Sequence, residues 1–148
     1  METKQFTRTI NAPTEKVWNT LWDDATYREW TAVFIEGSRA ETDWKKGSKV
    51  LFLDGKGSGM VSTILENKPN EFMSFKHLGM VKDGVEDTTS AETKEWANAV
   101  ESYTLKSANG GTELTVDFGV TGMSQQMLDY FMDTWPKSLD KVKEIAER

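Results

Sequence analysis

The chain contains no cysteine and only one histidine, His77, among its 148 residues. These absences exclude a thiol nucleophile, a disulfide framework, a cysteine-ligated zinc site and any metal site built on several histidines. No apolar run approaches the roughly eighteen residues of a transmembrane helix, and residues 1–10 are too polar for a signal peptide. We therefore expect a cytoplasmic protein with no membrane span, no metal and no cofactor.

Basic residues are also too few and too dispersed to form a stripe, and the formal net charge is −6. Such a chain repels a polyanion, so we expect no nucleic-acid partner. The length favours one domain over residues 1–148. Aromatic residues are abundant by contrast, with six Trp, seven Phe and three Tyr. Most of these side chains must be buried or must line a pocket.

The order of local patterns predicts an α+β protein. Alternation over residues 3–10 predicts a strand, and Pro13 then opens a helix that runs to about Trp22. A second short helix is expected over residues 25–30, followed by about six strands joined by turns, among them a strand over residues 38–43. Segregated helices and consecutive hairpins favour a curved antiparallel sheet of about seven strands wrapped on a long C-terminal helix.

The C-terminal helix is predicted from Ser124, a suitable N-cap. Its apolar stripe consists of Met127, Phe131, Trp135, Leu139, Val142 and Ile145. Pro136 lies inside this pattern, and an interior proline kinks or divides a helix. We therefore expect a kink or a restart near Thr134.

Two connections are ambiguous in the sequence. Residues 81–94 are polar and lack periodicity, which predicts a mobile loop. The stretch from Asp54 to Gly59 contains three glycines, but a phosphate-binding loop needs a strand-to-helix context. Because strands are expected on both sides, a hairpin connection is favoured.

Three segments resemble the START-like helix-grip superfamily, also called SRPBCC: INAPTEKVWNTLWD, WKKGSKVLF and SYTLKSANGGTELTV. The most similar branch is the domain related to the activator of the heat-shock protein 90 ATPase, and the resemblance covers nearly the whole chain. It implies a helix-grip fold, in which the sheet and the last helix often leave a gap between them. Members include lipid carriers, hormone receptors, aromatic polyketide cyclases and co-chaperone domains, so the fold does not settle the function.

Glu101 shares a strand face with Tyr103 and Leu105. On the concave face, this carboxylate points into an apolar space and must be paired or must orient a ligand. On the convex face it is solvated, and the sequence leaves both open. Arg8 is a conceivable partner of Glu101. His77 is expected to have a structural or surface role.

Our leading hypothesis is that the chain binds a hydrophobic or aromatic small molecule between the sheet and the last helix, without chemistry. The predicted ligand-binding residues are Trp22, Trp30, Phe75, Trp96, Glu101, Tyr103, Phe118, Met127, Phe131 and Trp135. One alternative is a co-chaperone-like module that stimulates a chaperone ATPase through an exposed apolar patch. Another is a cyclase- or hydrolase-like enzyme with Glu101, His77 or Tyr103 as acid or base.

Trp22 departs from the resemblance, whereas Trp18 matches the family's first helix. We therefore expect Trp18 to be scaffold and Trp22 to lie near the mouth of the cavity. On this view, Trp22→Ala changes ligand preference more than stability.

Overall fold

The computed structural model describes residues 2–148, except for the side chains of Glu95 and Trp96. Over this range the chain forms eight strands and four helices. The strands are β1 (Thr3–Ile10), β2 (Arg39–Glu41), β3 (Lys49–Leu53), β4 (Gly59–Lys68), β5 (Phe72–Lys82), β6 (Val85–Asp87), β7 (Val100–Ala108) and β8 (Gly111–Gly119). The helices are α1 (Thr14–Trp22), α2 (Asp24–Thr31), α3 (Ala91–Trp96) and α4 (Gln125–Ala146).

The strands form a curved, open antiparallel sheet in the order β1-β8-β7-β5-β4-β3-β2, with β6 paired to β5. The long helix α4 contacts β1, α1 and α2, and the part of its apolar stripe from Trp135 to Ile145 is buried against them. This arrangement confirms the predicted α+β helix-grip fold, including the two short helices after the first strand. The eighth strand is the short β6, which the sequence analysis did not predict.

The segment predicted as a loop over residues 81–94 is largely regular, so that prediction is wrong. β5 continues to Lys82, and β6 returns beside it through Asp83 and Gly84, whose φ angles are 50° and 81°. An Asp-Gly pair favours such a turn because both central residues need positive φ. Ser90 then caps α3, since its hydroxyl accepts a hydrogen bond from the Thr93 N–H at 3.2 Å.

The glycine-rich stretch is a hairpin connection between β3 and β4, as predicted. The Asp54 carboxylate closes it by accepting hydrogen bonds from the Lys56 N–H at 2.7 Å and the Ser58 N–H at 3.0 Å. These two backbone bonds, that of Ser58 first, hold the pKa of Asp54 below its usual range. The turn leads into β4, which carries one of the polar residues of the candidate site.

A kink or a restart was predicted near Thr134, and the restart is wrong because the last helix is continuous from Gln125 to Ala146. An interior proline costs a helix about 3 kcal/mol, but burial of large side chains such as Trp135 and Leu139 offsets a cost of that size. Ser124 is the N-cap, as predicted, and accepts from the N–H of the third helical residue at 3.1 Å. Among the described helices, none is both long enough and apolar enough to cross a membrane.

The Arg8 side chain connects the edge strand β1 to α4 through hydrogen bonds. Its Nε donates to the Asp140 carboxylate at 2.9 Å, and its Nη2 donates to the Pro136 carbonyl at 3.4 Å. The suggested pairing of Arg8 with Glu101 is therefore wrong, because the guanidinium is turned towards the helix.

Candidate ligand-binding site

The concave face of the sheet carries a row of polar side chains among large apolar ones. Tyr103 is 2% exposed, and its ring contacts those of Trp22 on α1 and Trp135 on α4 at 4.8 and 6.1 Å between centroids. Because Glu101 lies two residues before Tyr103 on β7, it shares the concave face. The sequence left both faces open for Glu101, and the structure places it on the concave face, where its side chain is partly buried.

Four side chains form a continuous hydrogen-bonded series, which we call the polar chain: Ser62, His77, Glu101 and Tyr103. The Ser62 hydroxyl lies 2.7 Å from His77 Nδ1, and His77 Nε2 lies 3.2 Å from a Glu101 oxygen. The Tyr103 hydroxyl donates to the other Glu101 oxygen at 2.5 Å. A hydrogen bond to the carboxylate requires a proton on His77 Nε2, and a neutral ring then accepts from Ser62 at Nδ1.

A β-bulge aligns the polar chain. Ser62 on β4 is opposite His77 on β5, whereas the preceding pair is Val61 and Gly79, so Leu78 is an extra residue in β5. If the pairing continued without the extra residue, Ser62 would be opposite Leu78, and His77 would be opposite Thr63. A bulge re-aims side chains in this way, and here it places the imidazole beside the serine hydroxyl.

Burial keeps the two phenols near Glu101 protonated. Desolvation, and secondly the charge of Glu101, raise the pKa of Tyr103 well above its usual value. The same two causes raise the pKa of Tyr27 on α2. Both hydroxyls therefore act as neutral hydrogen-bond donors or acceptors. With these directions the Glu101 carboxylate accepts from both the Tyr103 hydroxyl and His77 Nε2–H, so two donors fix its orientation.

Trp22 lies at the centre of the adjoining aromatic cluster, which consists of Trp18, Trp22, Trp44, Phe75 and Tyr103. Its ring centroid lies 4.8–6.1 Å from those of the other four. Trp22 is 6% exposed, and its Nε1–H is buried without a hydrogen-bond partner among the described residues. Buried polar groups nearly always have a partner, so this N–H needs an explanation.

A second group of rings continues the cluster beneath α4. Trp135 contacts Phe34 at 4.9 Å, stacks on Phe118 at 5.5 Å and approaches Trp30 at 6.4 Å between centroids. Phe131 covers Phe118 at 6.1 Å and is partly exposed. These rings occupy the space between sheet and helix, so the predicted gap is filled by side chains in this conformation.

The structure brings most of the predicted ligand-binding residues together. Those that face this shared interior are Trp22, Trp30, Phe75, Glu101, Tyr103, Phe118, Phe131 and Trp135. Met127 lies outside it, 46% exposed in the first turn of α4. The prediction for Trp96 falls on a side chain outside the described part of the chain. Two open depressions lie elsewhere, beside α3 and near the β4–β5 turn.

Sequence reasoning missed three residues of this region: Ser62, Tyr27 and Trp44. Ser62 alternates with Ile64 in a strand, which was a usable signal for the buried face. Periodicity carries no comparable signal for Trp44, because this residue lies in the connection between β2 and β3. Its place at the start of WKKGSKVLF, a segment that resembles the superfamily, was the one available signal.

The curved sheet, the helix across it and a concave face of aromatic rings around a few polar groups define a START-like helix-grip protein. The family model described as "Activator of Hsp90 ATPase homolog 1-like protein" matches residues 11–147, and the chain belongs to this family. The resemblance noted in the sequence is thereby confirmed. No curated protein matches the sequence significantly.

Solved structures share the fold at low sequence identity. Protein MLL2253 from Mesorhizobium loti is 18% identical with a TM-score of 0.73, and the match covers 97% of this chain and 96% of that one. The Aha1 dimer from Colwellia psychrerythraea is 16% identical with a TM-score of 0.73, covering 99% and 97%. DynU16, from the dynemicin biosynthetic locus, is 15% identical with a TM-score of 0.69, covering 97% and 46%. These likenesses establish the fold alone.

Proposed function

We propose that this protein binds a hydrophobic aromatic small molecule on the concave face, between the polar chain and helices α1, α2 and α4. The observation that carries the proposal is the Trp22 Nε1–H, which is buried without an acceptor beside Tyr103. Ligand sites combine apolar walls with a few convergent polar groups, and this region has that composition. A bound molecule with an acceptor atom satisfies the indole N–H.

Glu101 is the residue that we expect to orient the ligand. Its side chain is 17% exposed, compared with 10% for His77, so it is the member of that hydrogen-bonded pair nearer to solvent. The carboxylate already accepts from Tyr103 and faces His77, which fixes its direction. The family membership supports a binding role, because helix-grip proteins commonly hold hydrophobic ligands.

Native mass spectrometry of protein purified from its own host, with a thermal-shift screen of polycyclic aromatics and fatty acids, tests this function. We expect a retained small-molecule mass and a rise in Tm with aromatic probes. A probe at a hundred times its Kd adds about 2.7 kcal/mol of stability. Glu101→Gln should change the ranking of the probes, whereas Glu113→Gln on β8 should not. A folded protein that no probe stabilises contradicts the proposal, and a chemically altered ligand in the recovered complex favours acid–base catalysis instead.

Binding of a chaperone is the second candidate function, and the exposed face of α4 favours it. Within Gln125–Asp133, all of which the structure describes, no side chain is fully buried. Met127, Tyr130 and Met132 are 46%, 43% and 39% exposed there. Met127 and Tyr130 lie three positions apart and so share one face of the helix, and exposed apolar side chains that neighbour one another suit a docking surface. The family description names an activator of Hsp90 ATPase.

A pull-down with the host's Hsp90-type chaperone and an assay of its ATPase test this second function. If it holds, Met127→Glu should abolish stimulation, because a charge enters the apolar face. Val85→Glu is the matched control, since Val85 is 68% exposed on β6, away from α4. Absence of binding by the unmodified protein, or equal loss in both variants, contradicts the candidate.

A further inference from the structure

Trp44 covers the outer side of the aromatic cluster. It lies in the connection between β2 and β3, and its indole contacts the rings of Trp22 at 5.1 Å, Tyr27 at 6.1 Å and Phe75 at 6.2 Å. The side chain is half-buried, so it separates the Trp22 ring from solvent. It belongs to no helix or strand, so its place in the cluster depends on local contacts.

The backbone of Trp44 adopts an unfavourable conformation. Its φ of 63° lies in the left-handed region, which bulky side chains rarely adopt. Two hydrogen bonds hold it there: its N–H donates to the Thr42 hydroxyl at 3.2 Å, and Asn67 Nδ2 donates to its carbonyl at 2.6 Å. Such conformations persist where the surroundings enforce them, often at ligand clamps and switch regions.

Both of the buried side-chain polar atoms that lack a hydrogen-bond partner in the described part of the chain belong to neighbours of Trp44. One is Nε1 of Trp22, whose ring the Trp44 indole covers, and the other is Oδ1 of Asn67. An indole N–H cannot serve as an acceptor. Trp44 therefore fills the space next to Trp22 without satisfying its polar group.

We propose that the Trp44 indole occupies the ligand's place in this conformation, and that a neutral, bicyclic aromatic molecule with one hydrogen-bond acceptor displaces it. The inference rests on the proposed binding function and deepens it by naming the ligand class. The bicyclic size of the ligand follows from the Trp44 indole that it displaces. Its acceptor atom accepts a hydrogen bond from the Trp22 Nε1–H, which otherwise has no partner among the described residues. The negative charge of Glu101, which acts on both Tyr27 and Tyr103 in the same cluster, disfavours an anion. A cation protonated at its ring nitrogen has no lone pair there to accept from the Trp22 Nε1–H, so the ligand is neutral.

Trp44→Gly tests the inference, because it removes the indole and accommodates positive φ. The probes are quinoline, whose ring nitrogen is an acceptor, and naphthalene, which has the same shape without one. Binding is followed by ligand-observed NMR. We expect Trp44→Gly to bind quinoline at least about tenfold more tightly than the unmodified protein, since no side chain has to leave. Quinoline should be preferred over naphthalene by about 3- to 10-fold, the range for one neutral hydrogen bond.

Adding Trp22→Phe to Trp44→Gly should abolish the preference for quinoline while keeping the rings apolar. Trp44→Asn is a second variant, because asparagine tolerates positive φ. Lys45→Gly controls for loop flexibility and should bind quinoline as the unmodified protein does. Folded variants that bind quinoline no more tightly than the unmodified protein overturn the inference, and so does an equal affinity for naphthalene. If native mass spectrometry still finds an aromatic ligand, the proposed function survives that failure; if neither assay detects binding, the function fails as well.

Discussion

Replacing Trp22 by alanine is expected to lower the free energy of unfolding by about 3–5 kcal/mol, the range for truncation of a buried aromatic side chain. Trp22 is 6% exposed, less than the 9% of Trp18, and its ring meets four others. This position does not support the expectation that Trp22→Ala affects ligand preference more than stability. Both tryptophans of α1 belong to the core.

Urea denaturation of purified variants, followed by far-UV circular dichroism, measures this loss. Trp22→Phe keeps an aromatic ring and should cost less than half as much as Trp22→Ala. Met127→Ala truncates a large side chain that is 46% exposed, and should change stability by less than about 1 kcal/mol. A loss below about 1.5 kcal/mol for Trp22→Ala, under the range for buried aromatic truncations, would show that the cluster repacks around the space.

Gly59→Ala is expected to be the second most damaging substitution, with a loss of about 3 kcal/mol or more, at the upper end of overpacking effects. A Cβ at Gly59 would lie 1.8 Å from the carbonyl oxygen of Phe52 on the neighbouring strand. The β3–β4 ladder must then open where β4 begins, three residues before Ser62. Thermal and urea unfolding both report the loss.

Gly57→Ala in the same connection is the matched control. Gly57 has a φ of 82°, and a Cβ there meets no atom within 4 Å. The expected cost is therefore the backbone term alone, about 1–2 kcal/mol for a non-glycine residue in the left-handed region. If Gly57→Ala proves as damaging as Gly59→Ala, the close approach of the two strands does not decide the effect.

The elements that could be predicted from the sequence are those with local causes. The hairpin between β7 and β8 follows from Asn109 and Gly110, whose φ angles of 51° and 82° suit these residue types. Asp83 and Gly84 carry the same signal, but the surrounding charged residues concealed it. Helix α4 continues through Pro136 because the side chains around it, such as Trp135 and Leu139, are buried against the rest of the protein. The spacing of apolar residues in the sequence does not reveal these tertiary contacts.

The candidate site was predictable in composition but not in geometry. Alternation along the strand predicted that Glu101 and Tyr103 share one face of the sheet. Whether that face is the concave or the convex one depends on the curvature of the whole sheet, which alternation does not reveal. The contact between Ser62 and His77 depends on the extra residue at Leu78, and a register shift between two strands has no local signature. Trp44 reaches the cluster from an irregular connection, where periodicity gives no information.

The bulge at Leu78 also divides β5 between two cores. Met73 and Phe75 belong to the large aromatic core, whereas Val81 joins Leu53 in a small separate cluster. Met73, Phe75 and Val81 are separated by even numbers of residues along β5, so in an unbroken strand their side chains would point to the same face of the sheet. One additional residue thus lets a single strand contribute side chains to cores on opposite faces of the sheet, so substitutions in the small cluster at Val81 act on the face opposite the polar chain.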